Sequence, residues 1–334
     1  MLTNPLSPSG TISVIIPTLN AGEELSELLE RLWRGTVRPK EIIVIDSESE
    51  DGTPSRAERA GAHVLPIKRA EFDHGGARNK AAAVATGDIL MFMTQDAMPC
   101  DNEVIERLIQ PLLVAAQPDE LPSPGRVVMS YARQLPQADA DILERLAREH
   151  NYPPQSSVKS LDQLDEYGLR TFFCSNVCSA IRRDIFQMMG GFQEPVLFNE
   201  DMFMAARCVL TGYAIAYCGD AKVVHSHNYS VRQQFNRYFD NGASMRLNAW
   251  ITSYSSVGGA GSSLVRFQLK GLAASGKLYL LPRLIVESAA KLLGYKLGFH
   301  HRKLPRFLAR RISMHKLIWH RIEERNDVNA DSAM

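Results

Sequence analysis

Between residues 11 and 93 the chain alternates short apolar runs with amphipathic or alanine-rich stretches, and every apolar run ends on polar residues. Thr11–Ile16, Glu41–Ile45, His63–Ile67 and Ile89–Met93 read as strands, the last apolar throughout as in a strand buried on both faces. Between the first two, Glu23–Arg34 sets Leu25, Leu28, Leu29 and Leu32 on one face of a helix. Thr53-Pro54 reads as a second helix start, a cap followed by proline. Strands joined through helices demand a mostly parallel sheet with right-handed crossovers, which makes the fold α/β. In such sheets ligands gather outside the carboxyl ends of the strands. The residues there are Thr18 and Asn20, Asp46 and Ser47, Asp73 and His74, then Gln95 and Asp96. No GxGxxG follows the first strand, which counts against a dinucleotide-dependent dehydrogenase.

The richest chemistry lies in Glu71–Asp96. Gly75 and Gly76 admit backbone conformations closed to other residues, and the alanine-rich run Ala77–Thr86 predicts a helix stopped at Gly87. Paired glycines before a helix N-terminus, with Arg78 in its first turn, suit a phosphate group. Asp96, at a strand tip, suits a hard divalent cation bridging phosphates, or equally the cap of the next helix. Asp46 can accept the N3–H of a uracil or thymine ring; it can also cap a turn in its Asp-Ser-Glu-Ser loop.

Farther along, Pro118–Gly125 is a proline-rich loop and Ala138–His150 a helix. Glu200 and Asp201 open the helix Met202–Leu210, where the helix dipole alone favours acids. Ala214–Tyr217 and Ala221–Val224 read as two short strands, the second running into His225-Ser226-His227. Residues 1–10 read as a mobile lead-in, 11–230 as the α/β domain and 231–334 as a helical region interrupted by a Gly/Ser linker, Ser253–Ser263.

Charge is distributed unevenly. The net charge is +1, yet Leu264–Arg325 holds fourteen Lys and Arg against three Asp and Glu. That composition suits an amphipathic surface lying on anionic lipid, or a helical subdomain with a solvated basic face. Duplex nucleic acid would answer the charge as well, but no reading motif accompanies it. Five cysteines form no CxxC pair and no zinc spacing, which points to a reducing cytoplasmic setting. No uncharged run is long enough to cross a bilayer.

In order along the chain stand SVIIPTLN (13–20), VIDSESEDGT (44–53), GARN (76–79), FMTQDA (92–97), GGF (190–192), NED (199–201) and VVHSH (223–227). This series resembles the inverting glycosyltransferases of family 2, which have the GT-A fold. FDHGGARN, FFCSNVCSAIRRDIF, SHNYSVRQQFNRYFD and the late LGYKLG and SMHKLIW are similar to the bacterial rhamnosyltransferases of that family.

The resemblance implies that Asp46 grips the pyrimidine of a nucleotide-sugar, with Thr18, Asn20 and Ser47 beside it. His74, Gly75, Arg78 and Gln95 would line the rest of the donor. Asp96 would carry Mg²⁺ or Mn²⁺, with His225 the preferred extra ligand and His227 the second. Thr94-Gln95-Asp96 stands where the family has Asp-x-Asp, so one carboxylate is lost. Asp201 would be the general base and Glu200 its helper. The implied reaction is transfer of L-rhamnose from dTDP-β-L-rhamnose to a lipid-linked cell-surface glycan, at the inner face of the cell membrane. A UDP-hexose donor and a catalytically inert nucleotide-sugar binder are the other readings.

Overall fold

The structure, a computed structural model, describes residues 10–113, 125–254 and 259–331. The expected lead-in over residues 1–9, nearly all of the proline-rich loop and the centre of the Gly/Ser linker lie outside them.

The strands are β1 (Ile12–Thr18), β2 (Glu41–Asp46), β3 (His63–Pro66), β4 (Ile89–Met93), β5 (Met98–Pro99), β6 (Val127–Leu135), β7 (Ser157–Lys159), β8 (Cys178–Arg182) and β9 (Ala214–Val224). In the first half the helices are α1 (Glu24–Trp33), α2 (Thr53–Arg59), α3 (His74–Val84), α4 (Val104–Ile109), α5 (Ile142–Asn151) and α6 (Leu164–Tyr167). They continue as α7 (Arg183–Met188), α8 (Glu200–Leu210), α9 (Val231–Leu247), α10 (Gly259–Ala274), α11 (Leu281–Phe299), α12 (Arg306–Ile312) and α13 (Lys316–Asp331).

All nine strands among the described residues join one sheet, ordered β3-β2-β1-β4-β8-β6-β9-β5 with β7 beside β9. The parallel expectation holds for β3, β2, β1 and β4. Beyond them β8 runs antiparallel to both β4 and β6. One consequence decides the site: the amino end of β8 lies at the same sheet edge as the carboxyl end of β4, where Met93 faces Cys178.

Helices cover both faces. On one, Leu25, Leu28, Leu29 and Leu32 of α1 pack with Ile105 and Leu108 of α4 against the strands. Each of those four leucines is at most 1% exposed, and burying one contributes about 1.5–3 kcal/mol. On the other face lie Ala77 and Ala81 of α3 with Phe203 and Val209 of α8.

Several local expectations change. Gly75 and Gly76 lie inside the first turn of α3, capped by Asp73, whose Oδ1 accepts from both their N–H groups. Glycine is needed there for close approach: a Cβ at Gly75 would overlap the Gln193 carbonyl, and one at Gly76 would crowd Glu194. Gly87 likewise makes room for Ser13, while Ala85 ends the helix. The cap of α2 is Gly52; Thr53 instead donates from Oγ1 to Asp51. The two short strands are one strand, because residues 219–221 form a bulge opposite β6. The distal part of the Gly/Ser segment is the start of α10. All five cysteines are free, and four are buried.

In the C-terminal region α11 lies along α9 at a contact built from small residues. Added Cβ atoms at Gly294 and Gly298 would overlap the carbonyls of Phe235 and Phe239, and one at Gly242 that of Tyr295. Backbones can meet so closely only where side chains are absent. No described helix is long and apolar enough to cross a membrane.

Candidate active site

Three polar loops expected from the sequence do converge. Thr18 Oγ1 donates to Asp46 Oδ1 at 2.8 Å, and Ser47 N–H donates to the Thr18 carbonyl. Asn20, at φ 48°, donates its N–H to Ser49 Oγ and accepts from Glu50 N–H. Asp46 is 3% exposed and takes Ser49 N–H and Oγ–H as well, so the turn-capping role is real. Gln95 clamps the first loop to the tip of β4, accepting from Leu19 N–H at 2.8 Å and donating to its carbonyl. Ser47 Oγ is buried without a hydrogen-bond partner in the protein.

Asp96, next along the same tip, faces two imidazoles. Its Oδ1 lies 3.5 Å from His225 Nε2 and its Oδ2 lies 3.2 Å from His227 Nε2. The three ligand atoms fall within 4.8 Å of one another. Burial works to raise the Asp96 pKa, but the adjoining imidazoles of His225 and His227 outweigh it and hold the carboxyl well below the usual range. Burial pushes His225 down, against the pull of Asp96. An ionised carboxylate and a neutral imidazole are the forms that bind metals. One carboxylate with two imidazoles fits a divalent cation, and Mn²⁺ better than Mg²⁺, because imidazole is a poor partner for the harder ion. His225 Nδ1 is oriented by Gln134 Oε1 at 3.2 Å, the outer bond usual for a ligating histidine.

Glu200 and Asp201 open α8, next to Asn199 at φ 69°. Glu200 is buried and Asp201 partly so. Asp201 Oδ2 accepts from Asn176 N–H at 3.0 Å and Oδ1 from Met202 N–H at 2.7 Å. Burial, then the adjacent Glu200, pushes its pKa up to about 7. Asn176 Nδ2 donates to Glu200 Oε1, which also lies 3.4 Å from Arg78 NH1. Arg78 is 3% exposed, gives a second bond to the His74 carbonyl, and leaves Nε unpartnered.

Two connections were not foreseen. Gln134 donates to Ser175 Oγ, one residue before Asn176, so the histidine cluster and the acid pair share one hydrogen-bonded frame. Asn176 stands just before β8, at the amino end of an antiparallel strand, so it is not among the polar tips that close the parallel strands.

The second connection comes from the far end of the chain. His74 does not join the first three loops; it meets His315, with Nε2 atoms 3.4 Å apart, and both rings pack on Phe198. Burial, then Arg78 and Arg237, lowers the His74 pKa to about 3. Arg237 sits over Phe198 at 4.9 Å. Asp240 on α9 accepts from the N–H groups of Met314 and His315, and Arg321 on α13 pairs with Asp73, the cap of α3. No local pattern announces contacts across about 240 residues; only the late SMHKLIW hinted at them.

Residues 13–190 match the family described as Glycosyl transferase family 2. The chain belongs to that family. It is 38% identical over 316 residues to the O-antigen chain rhamnosyltransferase WbaN of Salmonella anatum, covering 94% of this chain and 97% of that one. The O-antigen chain rhamnosyltransferase RfbN of Salmonella typhimurium matches at 38% over 319 residues, 93% of this chain and 97% of the other. Among solved structures, the mannosyltransferase PcManGT of Pyrobaculum calidifontis, in complex with GDP-Man and Mn²⁺, superposes with a TM-score of 0.57 at 16% identity. It covers 90% of this chain and 89% of that one, which establishes the GT-A-like fold. The enzyme is therefore a glycosyltransferase, and its relatives over nearly the whole chain are O-antigen rhamnosyltransferases.

Proposed function

We propose that the enzyme transfers L-rhamnose from dTDP-β-L-rhamnose to a hydroxyl of a lipid-linked glycan, with Asp201 as general base. The observation that carries the base is the Asp201 carboxylate, fixed by two backbone N–H groups with its pKa near 7, in one frame with the Asp96–His225–His227 cluster; the sugar follows the O-antigen rhamnosyltransferases that the chain resembles. A base poised near the working pH combines the right protonation state with useful driving force.

Asp201 takes the proton of the acceptor hydroxyl as that oxygen bonds to the anomeric carbon. The bond to the nucleoside diphosphate breaks on the opposite face, so the configuration inverts and dTDP leaves with its electron pair. Thr18, Asn20, Asp46 and Ser47 form the nucleoside end, and the partnerless Ser47 hydroxyl supports a ligand there. His74, Gly75, Arg78 and Gln95 shape the rest of the donor cleft, Arg78 by holding Glu200 and Gln95 by holding the Leu19 loop. Asp96, His225 and His227 would hold Mn²⁺ or Mg²⁺, which supplies positive charge to the diphosphate. Burial keeps the Asp201 pKa high, and the neighbouring Glu200 adds to it. The lipid carrier of the acceptor would put the enzyme at the inner face of the cell membrane, as a peripheral protein.

Asp201→Asn tests the base: transfer should fall about 10²–10⁴-fold while donor binding persists, since the amide keeps the shape but cannot take the proton. The wild-type rate should climb as pH passes 7, because only the deprotonated carboxylate is competent. Calorimetric titration of dTDP-rhamnose against UDP-hexoses, with and without Mn²⁺, tests donor and metal together. Tighter binding of a UDP-hexose, or affinity indifferent to chelation, would remove the corresponding assignment.

A further inference from the structure

Helix α11 is apolar on its outward face as well as its inward one. Its inward positions are Leu284, which packs on Leu143 and Leu272, then Ala290, Gly294 and Gly298, with Glu287 folded onto Arg283. Four of its large apolar residues nevertheless point away from the protein. Ile285, Val286, Leu292 and Leu293, with Leu278 and Tyr279 just before the helix, are between 51 and 74% exposed. They recur as adjacent pairs every seven residues, at 278/279, 285/286 and 292/293. Seven residues is close to two helical turns, so the two pairs on α11 form one stripe about 12 Å long, preceded by the exposed pair on the short 3-10 turn Leu278–Leu280. Scattered exposed leucines need no explanation, but a continuous stripe does.

The surroundings identify what covers it. Along the chain Lys270 and Lys277 precede the stripe, and Lys296, Arg302 and Lys303 follow it. None of these five forms an ion pair among the described residues. Across Leu264–Arg311 the sole acid is Glu287, and it is buried. A second copy laid on this face, parallel or antiparallel, would set cation against cation at both ends. An anionic bilayer offers apolar depth for the stripe and negative headgroups for its ends.

We infer that the outward face of α11 lies in the interface of an anionic bilayer and is the surface by which the enzyme docks on membrane. The helix beneath it explains the placement. Residues Phe235, Phe239 and Gly242 of α9 meet α11, while Arg237 and Asp240 of the same helix reach the site. The active site therefore stands one helix layer above the docked face, within reach of an acceptor whose lipid stays in the membrane. This deepens the membrane reading above and is independent of the donor.

The test is co-sedimentation of the whole chain with phosphatidylglycerol-containing vesicles and with phosphatidylcholine vesicles, at low and high salt, without donor. The wild type should bind the anionic vesicles, release them at high salt, and ignore the neutral ones. Ile285→Glu/Leu292→Glu should weaken that binding at least about tenfold, since charge replaces apolar depth on an exposed face. Retained donor binding by this variant shows that the fold is intact. Sedimentation equilibrium without lipid reads the rival: a wild-type dimer that the double variant dissolves, with vesicle binding unaltered, overturns the proposal in favour of self-association. Absence of wild-type binding to anionic vesicles overturns it outright and leaves the transfer reaction untouched.

Discussion

Helices α1 and α11 solve opposite problems with similar residues. In α1 the leucines face the sheet and the charges face water, so the seam is thick, apolar and hidden. In α11 Ile285, Val286, Leu292 and Leu293 face outward and glycines form the seam with α9, so its partner helix is gripped by backbone contact. An apolar residue in a helical pattern is thus no guide by itself to which side is inside. In α1 the leucines all lie on one face and the remaining positions are mostly charged, which leaves one orientation. In α11 both faces lack charge at most positions, and closeness of approach to α9 decides.

Substitutions in the two helices should diverge accordingly. The largest effect is expected for Leu28→Ala in α1, fully buried, at about 2–5 kcal/mol from lost transfer energy and the cavity left behind. Chemical denaturation measures it; a loss below half a kcal/mol would mean that this face is not the core. Next comes Gly298→Ala on the inward side of α11, where the new methyl meets the Phe239 carbonyl. Overpacking against backbone should cost about 1–3 kcal/mol, read by thermal melting, although alanine is the better helix former.

A third change asks whether the C-terminal region serves the site as well as itself. Arg321→Ala removes the partner of buried Asp73 and should cost about 1–3 kcal/mol. It should also weaken donor binding, because Asp73 caps the helix that carries Gly75 and Arg78, whereas Arg321→Lys should restore part of the affinity. Donor affinity equal to wild type in the alanine variant would reduce the contact to packing. Smallest of all, Leu292→Ala on the outward face of α11 should change stability in water by no more than about 0.5 kcal/mol. A loss as large as that of Leu28→Ala would show that the stripe is covered in solution, and the inversion would be wrong.

What the sequence alone determined is the part built from contacts near in the chain. Four apolar runs with their connecting helices dictated β1 to β4 and the polar tips at Thr18, Asp46 and Asp96, because alternation over a few residues is itself the physical cause of those elements. The acid pair opening α8 was equally visible. Tertiary structure decided the rest. The direction of β8, set by pairing with β4 across some 90 residues, brought Asn176 to the carboxyl edge and to Asp201. Fold-back of α13 brought His315 to His74 and Arg321 to Asp73. Gly75, Gly76 and Gly87 took their meaning from neighbours that crowd them, and no backbone preference revealed that. Local sequence sets which groups can exist at a point in space; only packing between distant segments sets which of them meet.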